Sequence, residues 1–121
     1  MSNSNPKKTV YIIEDDSDIL SLLSTVLKVH NFNCITDFNG NNFDVKRTPY
    51  PDLYIIDVNL IDKNGGELCI QIKNECPDIP VIIISAHIHA DEAINDYKAD
   101  KYVSKPFNLL EFIGTISSLL K

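Results

Sequence analysis

Apolar residues in this chain gather into short β-branched runs that stop abruptly at polar groups. Thr9-Val10-Tyr11-Ile12-Ile13 stops at Glu14-Asp15-Asp16, Leu53-Tyr54-Ile55-Ile56 at Asp57, and Val81-Ile82-Ile83-Ile84 at Ser85. The shorter Tyr102-Val103 runs into Ser104-Lys105-Pro106. Unbroken apolar runs of this length predict strands covered on both faces. Asn33-Cys34-Ile35-Thr36 alternates poorly and predicts a further, weaker strand. Between the runs the spacing changes to three and four. Ile19, Leu20, Leu23, Val26 and Leu27 share one stripe, with Asp16 or Ser17 as N-cap and an end near Asn31. Leu68, Ile72 and Cys76 form a second stripe closed by Pro77, and Leu109, Phe112, Ile113, Ile116 and Leu120 a third. Asn108, with Glu111 three residues on, has the spacing of a capping box. The Asn, Gly and Pro residues of 38–51 predict a short or irregular helix, and 89–97 predicts a moderate one.

Alternating strands and helices predict a parallel sheet, because parallel neighbours need crossover connections and these are almost always right-handed. The expected class is therefore α/β, doubly wound, with helices on both faces. In such sheets ligands bind beyond the carboxyl ends of the strands. Glu14, Asp15, Asp57, Ser85 and Lys105 stand at those ends. No internal repeat or linker divides the chain, so residues 1–7 are expected to form a flexible polar tail and residues 8–121 one domain.

Composition narrows the function. The 121 residues are 44% hydrophobic and 23% charged, a globular balance. Eleven basic against 17 acidic residues give a net charge of -6, a field that repels nucleic-acid phosphates and anionic membranes. Direct nucleic-acid binding and membrane insertion are accordingly not expected. Cys34, Cys69 and Cys76 are odd in number and lack C-x-x-C spacing, which fits a reducing cytoplasm better than a disulfide or zinc framework.

If the runs ending at Ile13 and Ile56 are adjacent strands, Glu14, Asp15 and Asp57 converge. Crowded carboxylates need a proton or a counter-cation, and an oxygen-only ligand set suits Mg2+ better than zinc. A carboxylate beside Mg2+ and a lysine is equipped to attack phosphorus, which makes Asp57 the nucleophile, Lys105 the charge partner and Ser85 a hydroxyl donor. Taken singly these residues have ordinary roles as turns and helix caps. Their shared position at one sheet edge gives the pattern its weight.

The ordered set Ile12-Ile13-Glu14-Asp15-Asp16, Pro51-Asp52-Leu53, Asp57-Val58-Asn59-Leu60 with Gly65, Ile79 to Ala86, and Tyr102-Val103-Ser104-Lys105-Pro106-Phe107 resembles the receiver domain of two-component response regulators. The resemblance covers nearly the whole chain. It implies a five-stranded flavodoxin-like sheet of order 2-1-3-4-5, phosphorylation of Asp57 by a histidine kinase or phosphotransfer protein, and a switch more than a turnover enzyme. It implies Mg2+ held by Glu14, Asp15, Asp57 and the backbone carbonyl of Asn59, phosphate contact by Lys105, and a switch pair of Ser85 and Tyr102. An output partner would meet the face of the fourth helix, fifth strand and fifth helix, and a phosphorylation-dependent dimer is allowed.

Three departures stand out. Ile61 replaces a common Pro, Lys98 replaces a common Gly, and the Ser85 to Lys105 interval is about two residues short, so an atypical output face is expected. His87 and His89, spaced i and i+2, read as surface residues more than zinc ligands, and His87 and Asn59 occupy positions that tune acyl-phosphate decay in the family. Two rival readings are a haloacid-dehalogenase-like phosphatase or transferase with Asp57 as nucleophile, and a docking module independent of phosphate.

Overall fold

The computed structural model describes residues 6–120. Most of the expected tail, Met1 to Asn5, lies outside the described residues; Pro6 and Lys7 are irregular and exposed. Along the chain come β1 (Thr9–Glu14), α1 (Ser17–Val29), β2 (Asn33–Phe38), β3 (Leu53–Asp57), a short ribbon of β4 (Asn59–Leu60) and β5 (Lys63–Asn64), α2 (Gly65–Glu75), β6 (Val81–Ser85), β7 (Lys101–Ser104) and α3 (Leu109–Leu119).

β2, β1, β3, β6 and β7 lie side by side in that order, all parallel. With the ribbon set aside this is the expected order 2-1-3-4-5. Strand alternation divides the core into two layers. Val10, Ile12, Leu53, Ile55, Ile82 and Ile84 pack with α1 and with Phe112, Ile113 and Ile116 of α3. Tyr11, Ile13, Tyr54, Ile56, Val81 and Ile83 face the other way, onto Leu68, Cys69 and Ile72 of α2. Each fully buried Ile or Leu contributes about 1.5–3 kcal/mol, so the sheet is held from both faces.

The helix ends follow local chemistry. Asp16 is the N-cap of α1, its Oδ1 accepting from the Asp18 and Ile19 amides at 2.9 and 3.2 Å. The helix closes at Asn31, in the left-handed region at φ 72°, where Phe32 N–H reaches Leu27 O and Asn31 N–H reaches Lys28 O, a Schellman ending. At α3 the Asn108 Oδ1 accepts from the Glu111 amide at 3.0 Å.

One helical expectation is corrected. Residues 38–51 form turns, with Asn39 and Gly40 both at positive φ and so unable to continue a right-handed helix. Residues 89–97 do form a short helix, over 90–96, which starts with Ala93 N–H bonded to His89 O at 3.3 Å, widens over Glu92–Asp96 and closes with Tyr97 N–H to Glu92 O at 3.1 Å. Of Glu92–Asp96 only Ala93 is buried, and Asp and Asn favour competing side-chain bonds over helix, which keeps it short.

Lys98 follows this short helix at φ 66°, a conformation that costs a non-glycine residue about 1–2 kcal/mol. Its Nζ donates to Asn95 O at 2.7 Å, an exposed bond that recovers little. Lys98→Gly is expected to raise the unfolding free energy by about 1 kcal/mol, seen as a higher urea midpoint at unchanged slope. A lower midpoint would contradict this account of the turn.

Candidate functional site

Ile13 and Ile56 are partners across β1 and β3, so the next residues, Glu14 and Asp57, end neighbouring strands. Alternation turns both towards the α1 and α3 side, with Val10, Ile12 and Ile55. Glu14 is fully buried and Asp57 is 3% exposed. With Asp15 they bring carboxylate oxygens within 4.8 Å of one another. At that separation two like charges repel by about 3.5 kcal/mol at an effective dielectric of about 20.

Lys105 answers this repulsion from the loop after β7. Its Nζ lies 2.9 Å from Asp57 Oδ2 and 3.1 Å from Glu14 Oε1. The loop is anchored by Lys105 N–H donating to Ser85 O at 3.0 Å. Burial disfavours the ammonium, but the hydrogen bond to Asp57 and the charge of Glu14 prevail and raise its pKa above the ordinary lysine value. The other Asp57 oxygen, Oδ1, accepts from the Asn59 amide at 3.0 Å. Glu14 Oε2 accepts from the Asp15 and Asp16 amides, both at 3.1 Å, whereas Oε1 has no directed hydrogen bond. Burial, then the hydrogen-bonding, like-charged Asp57 carboxyl beside it, pushes Glu14 up from 4.5 to about 8.

A pocket of about 270 Å³ opens over this cluster, walled by Asp15, Asp16, Ile19, Asp57, Asn59, Ala86, His87 and Lys105. A buried carboxylate on the pocket floor, held between an ammonium and a backbone amide, is placed to react with an electrophile that enters from solvent.

The family profile of the response regulator receiver domain matches residues 10–117. This chain belongs to the response regulator receiver family. Among curated relatives, the transcriptional regulatory protein CssR of Bacillus subtilis (strain 168) is 35% identical over 115 residues, covering 93% of this chain and 51% of its own length. Response regulator ArlR of Staphylococcus aureus (strain Mu50 / ATCC 700699) is 32% identical over 115 residues, covering 93% and 52%. The chain thus spans about half the length of these relatives. The BeF3-activated DrrB receiver domain superposes with a TM-score of 0.83 at 27% identity, covering 94% of this chain and 97% of that one. The apo receiver domain of nitrogen regulatory protein C gives 0.83 at 31% identity, covering 93% and 94%. The receiver is a signalling domain of two-component systems, in which response regulators work with histidine kinases.

Of the residues singled out from sequence, the receiver fold gathers the Glu14, Asp15 and Asp57 carboxylates, brings Lys105 into contact with Glu14 and Asp57, and sets Asn59 in the pocket wall. Ser85 stands apart. It shares the parity of Val81 and Ile83, and its Oγ accepts from the His87 amide at 3.0 Å. Ala86 and His87 take its place in the wall. Tyr102, half-buried on the Ser85 side, donates to Ile88 O at 2.7 Å and lies 3.1 Å from Ser85 O. Gly65 begins α2 so close to β3 that a Cβ would collide with the Asp57 carbonyl oxygen. Sequence reading missed Asn39, which counted there only towards a short or irregular helix over 38–51.

The donor set fits a hard divalent ion. Three carboxylates against one ammonium leave two negative charges uncompensated when all are ionised, and Glu14 Oε1 is a buried acceptor without a directed bond. Without an ion, a proton on Glu14 relieves the crowding. Because the folded pKa lies above the unfolded one, that stabilisation is complete below about 4.5 and disappears as pH rises through about 8. Metal-free protein is therefore expected to lose stability on the order of a few kcal/mol across this window, and Glu14→Gln should flatten the profile. A denaturation series in which the two proteins show the same slope would refute the assignment.

Proposed function

We propose that this receiver accepts a phosphoryl group on Asp57 from a partner histidine kinase or phosphotransfer protein and so alters its partner-binding surface. The observation that carries this reading is the buried Asp57 carboxylate, 2.9 Å from Lys105 on the floor of an open polar pocket. An Asp57 oxygen attacks phosphorus, the bond to the donor imidazole nitrogen breaks, and the imidazole leaves with its electron pair and takes up a proton. Lys105 offsets the charge gathering on the phosphoryl oxygens. Glu14, Asp15, Asp57 and the Asn59 carbonyl are the residues that would hold Mg2+. When bound, that ion neutralises phosphoryl charge as a Lewis acid.

Residues 8–121 act as one receiver unit in this reading, a cytoplasmic switch and not a turnover enzyme. Ser85 and Tyr102 form the switch pair, supported by the Tyr102 hydroxyl lying beside the Ser85 carbonyl. The output partner, or a second phosphorylated copy, meets the face formed by the short helix at 90–96, β7 and α3.

Acetyl phosphate with Mg2+ is expected to add one phosphoryl group by intact mass, and Asp57→Asn should add none. Lys105→Ala should charge roughly a hundredfold more slowly. An unaltered wild-type mass overturns the proposal.

A further inference from the structure

The ribbon of β4 and β5 and the Gly65 N–H to Val58 O bond of 2.9 Å close the base of the loop that carries Asn59, and its tip lies beyond them. The loop leaves β3 at Asp57, turns through Ile61, 53% exposed, and Asp62 at φ 63°, and returns along β5. Any further restraint on the tip has to come from outside the ribbon.

The restraint comes from another part of the chain. Asn39, 7% exposed at the end of β2, meets both backbone groups of Ile61 with its carboxamide. Nδ2 donates to Ile61 O at 2.8 Å, and Oδ1 accepts from Ile61 N–H. Its own amide donates to Glu14 O at 2.8 Å, so a single residue ties the end of β1 to this loop. Lys63 closes the contact from the loop side, its Nζ 3.2 Å from Asn39 O and 3.3 Å from Gly40 O. The clamp also needs an N–H at residue 61. A proline there has none to give Asn39 Oδ1, so Ile61→Pro removes one of the clamp's two bonds.

We infer that Asn39 is a positioning residue for phosphorylation: through Ile61 it holds the loop whose Asn59 amide fixes Asp57 Oδ1. It touches neither donor nor metal ligand side chain and acts only through the backbone it grips. The inference rests on the phosphoacceptor reading of Asp57.

The test uses the full chain with Asn39→Gly, Ile61→Pro and the double variant. Glycine suits position 39 because the backbone there is at φ 59°, so the side chain is removed without new strain. Ile61→Pro, at an exposed site, serves as an independent probe should Asn39→Gly fail to fold. The charging rate is measured with saturating acetyl phosphate and Mg2+, well below each melting temperature, where a merely stabilising residue leaves the rate unchanged. Each single variant is expected to charge roughly tenfold more slowly, and Ile61→Pro to slow the Asn39→Gly protein no further. Exchange of the Ile61 amide proton should accelerate at least about tenfold in Asn39→Gly. Wild-type charging rates in both single variants, or losses that multiply in the double variant, overturn the inference. Failure of the unaltered chain to charge overturns the phosphoacceptor reading instead, while the Ile61 exchange result still reports whether the clamp exists.

Discussion

Two carboxylates buried side by side on neighbouring strands, with a third nearby and a single ammonium between them, are the constraint on which this receiver is organised. Water cannot screen Glu14 or Asp57, so their repulsion has to be met by the protein, by a proton or by a cation. Lys105 contacts both, and at about 3 Å each contact is worth about 5 kcal/mol at an effective dielectric of about 20, before desolvation is subtracted. One lysine thus makes the pair tolerable without neutralising the cluster. The residual charge suits a divalent ion, and in the proposed function that ion with Lys105 would prepare the pocket for a phosphoryl group.

The surrounding fold serves to keep that arrangement in register. Parallel pairing of β1 with β3 sets Glu14 beside Asp57, and the apolar layers on both faces prevent either strand from shifting to relieve the repulsion. Gly65 lets α2 begin against the Asp57 backbone. Lys105 is hung from Ser85 O, and the Asn59 loop is gripped by Asn39. Elements on every side of the sheet rim thus meet at one small pocket, where stability is given up locally for reactivity.

Much of this was legible in the sequence because the determinants are local. Apolar runs that stop at acids mark buried strands and their functional ends together, and the spacing of Leu23, Leu27, Ile72 and Phe112 marks the helices that cover them. What escaped depends on side-chain direction and on distant partners. Strand-end position alone suggested that Ser85 faces the acids, but parity turns it towards Tyr102 and leaves His87 in the pocket wall. The spacing within 89–97 hid how few of its residues are buried: Ala93 is enclosed while Ile94 is 39% exposed. Lys98, by contrast, was correctly suspect as a residue in a glycine conformation. Asn39 counted only as one of the residues that make a helix over 38–51 irregular, and only its partner 22 residues away reveals the clamp.

The central claim is that the acids are crowded in order to seat a divalent cation beside Asp57. Calorimetric titration of the full chain with MgCl2 tests it most directly. The account predicts one ion per chain, binding that weakens as pH falls and Glu14 takes up its proton, and no detectable binding in Asp57→Asn. A wild-type chain that releases no heat with Mg2+, or binds it equally well without the Asp57 carboxylate, would contradict it.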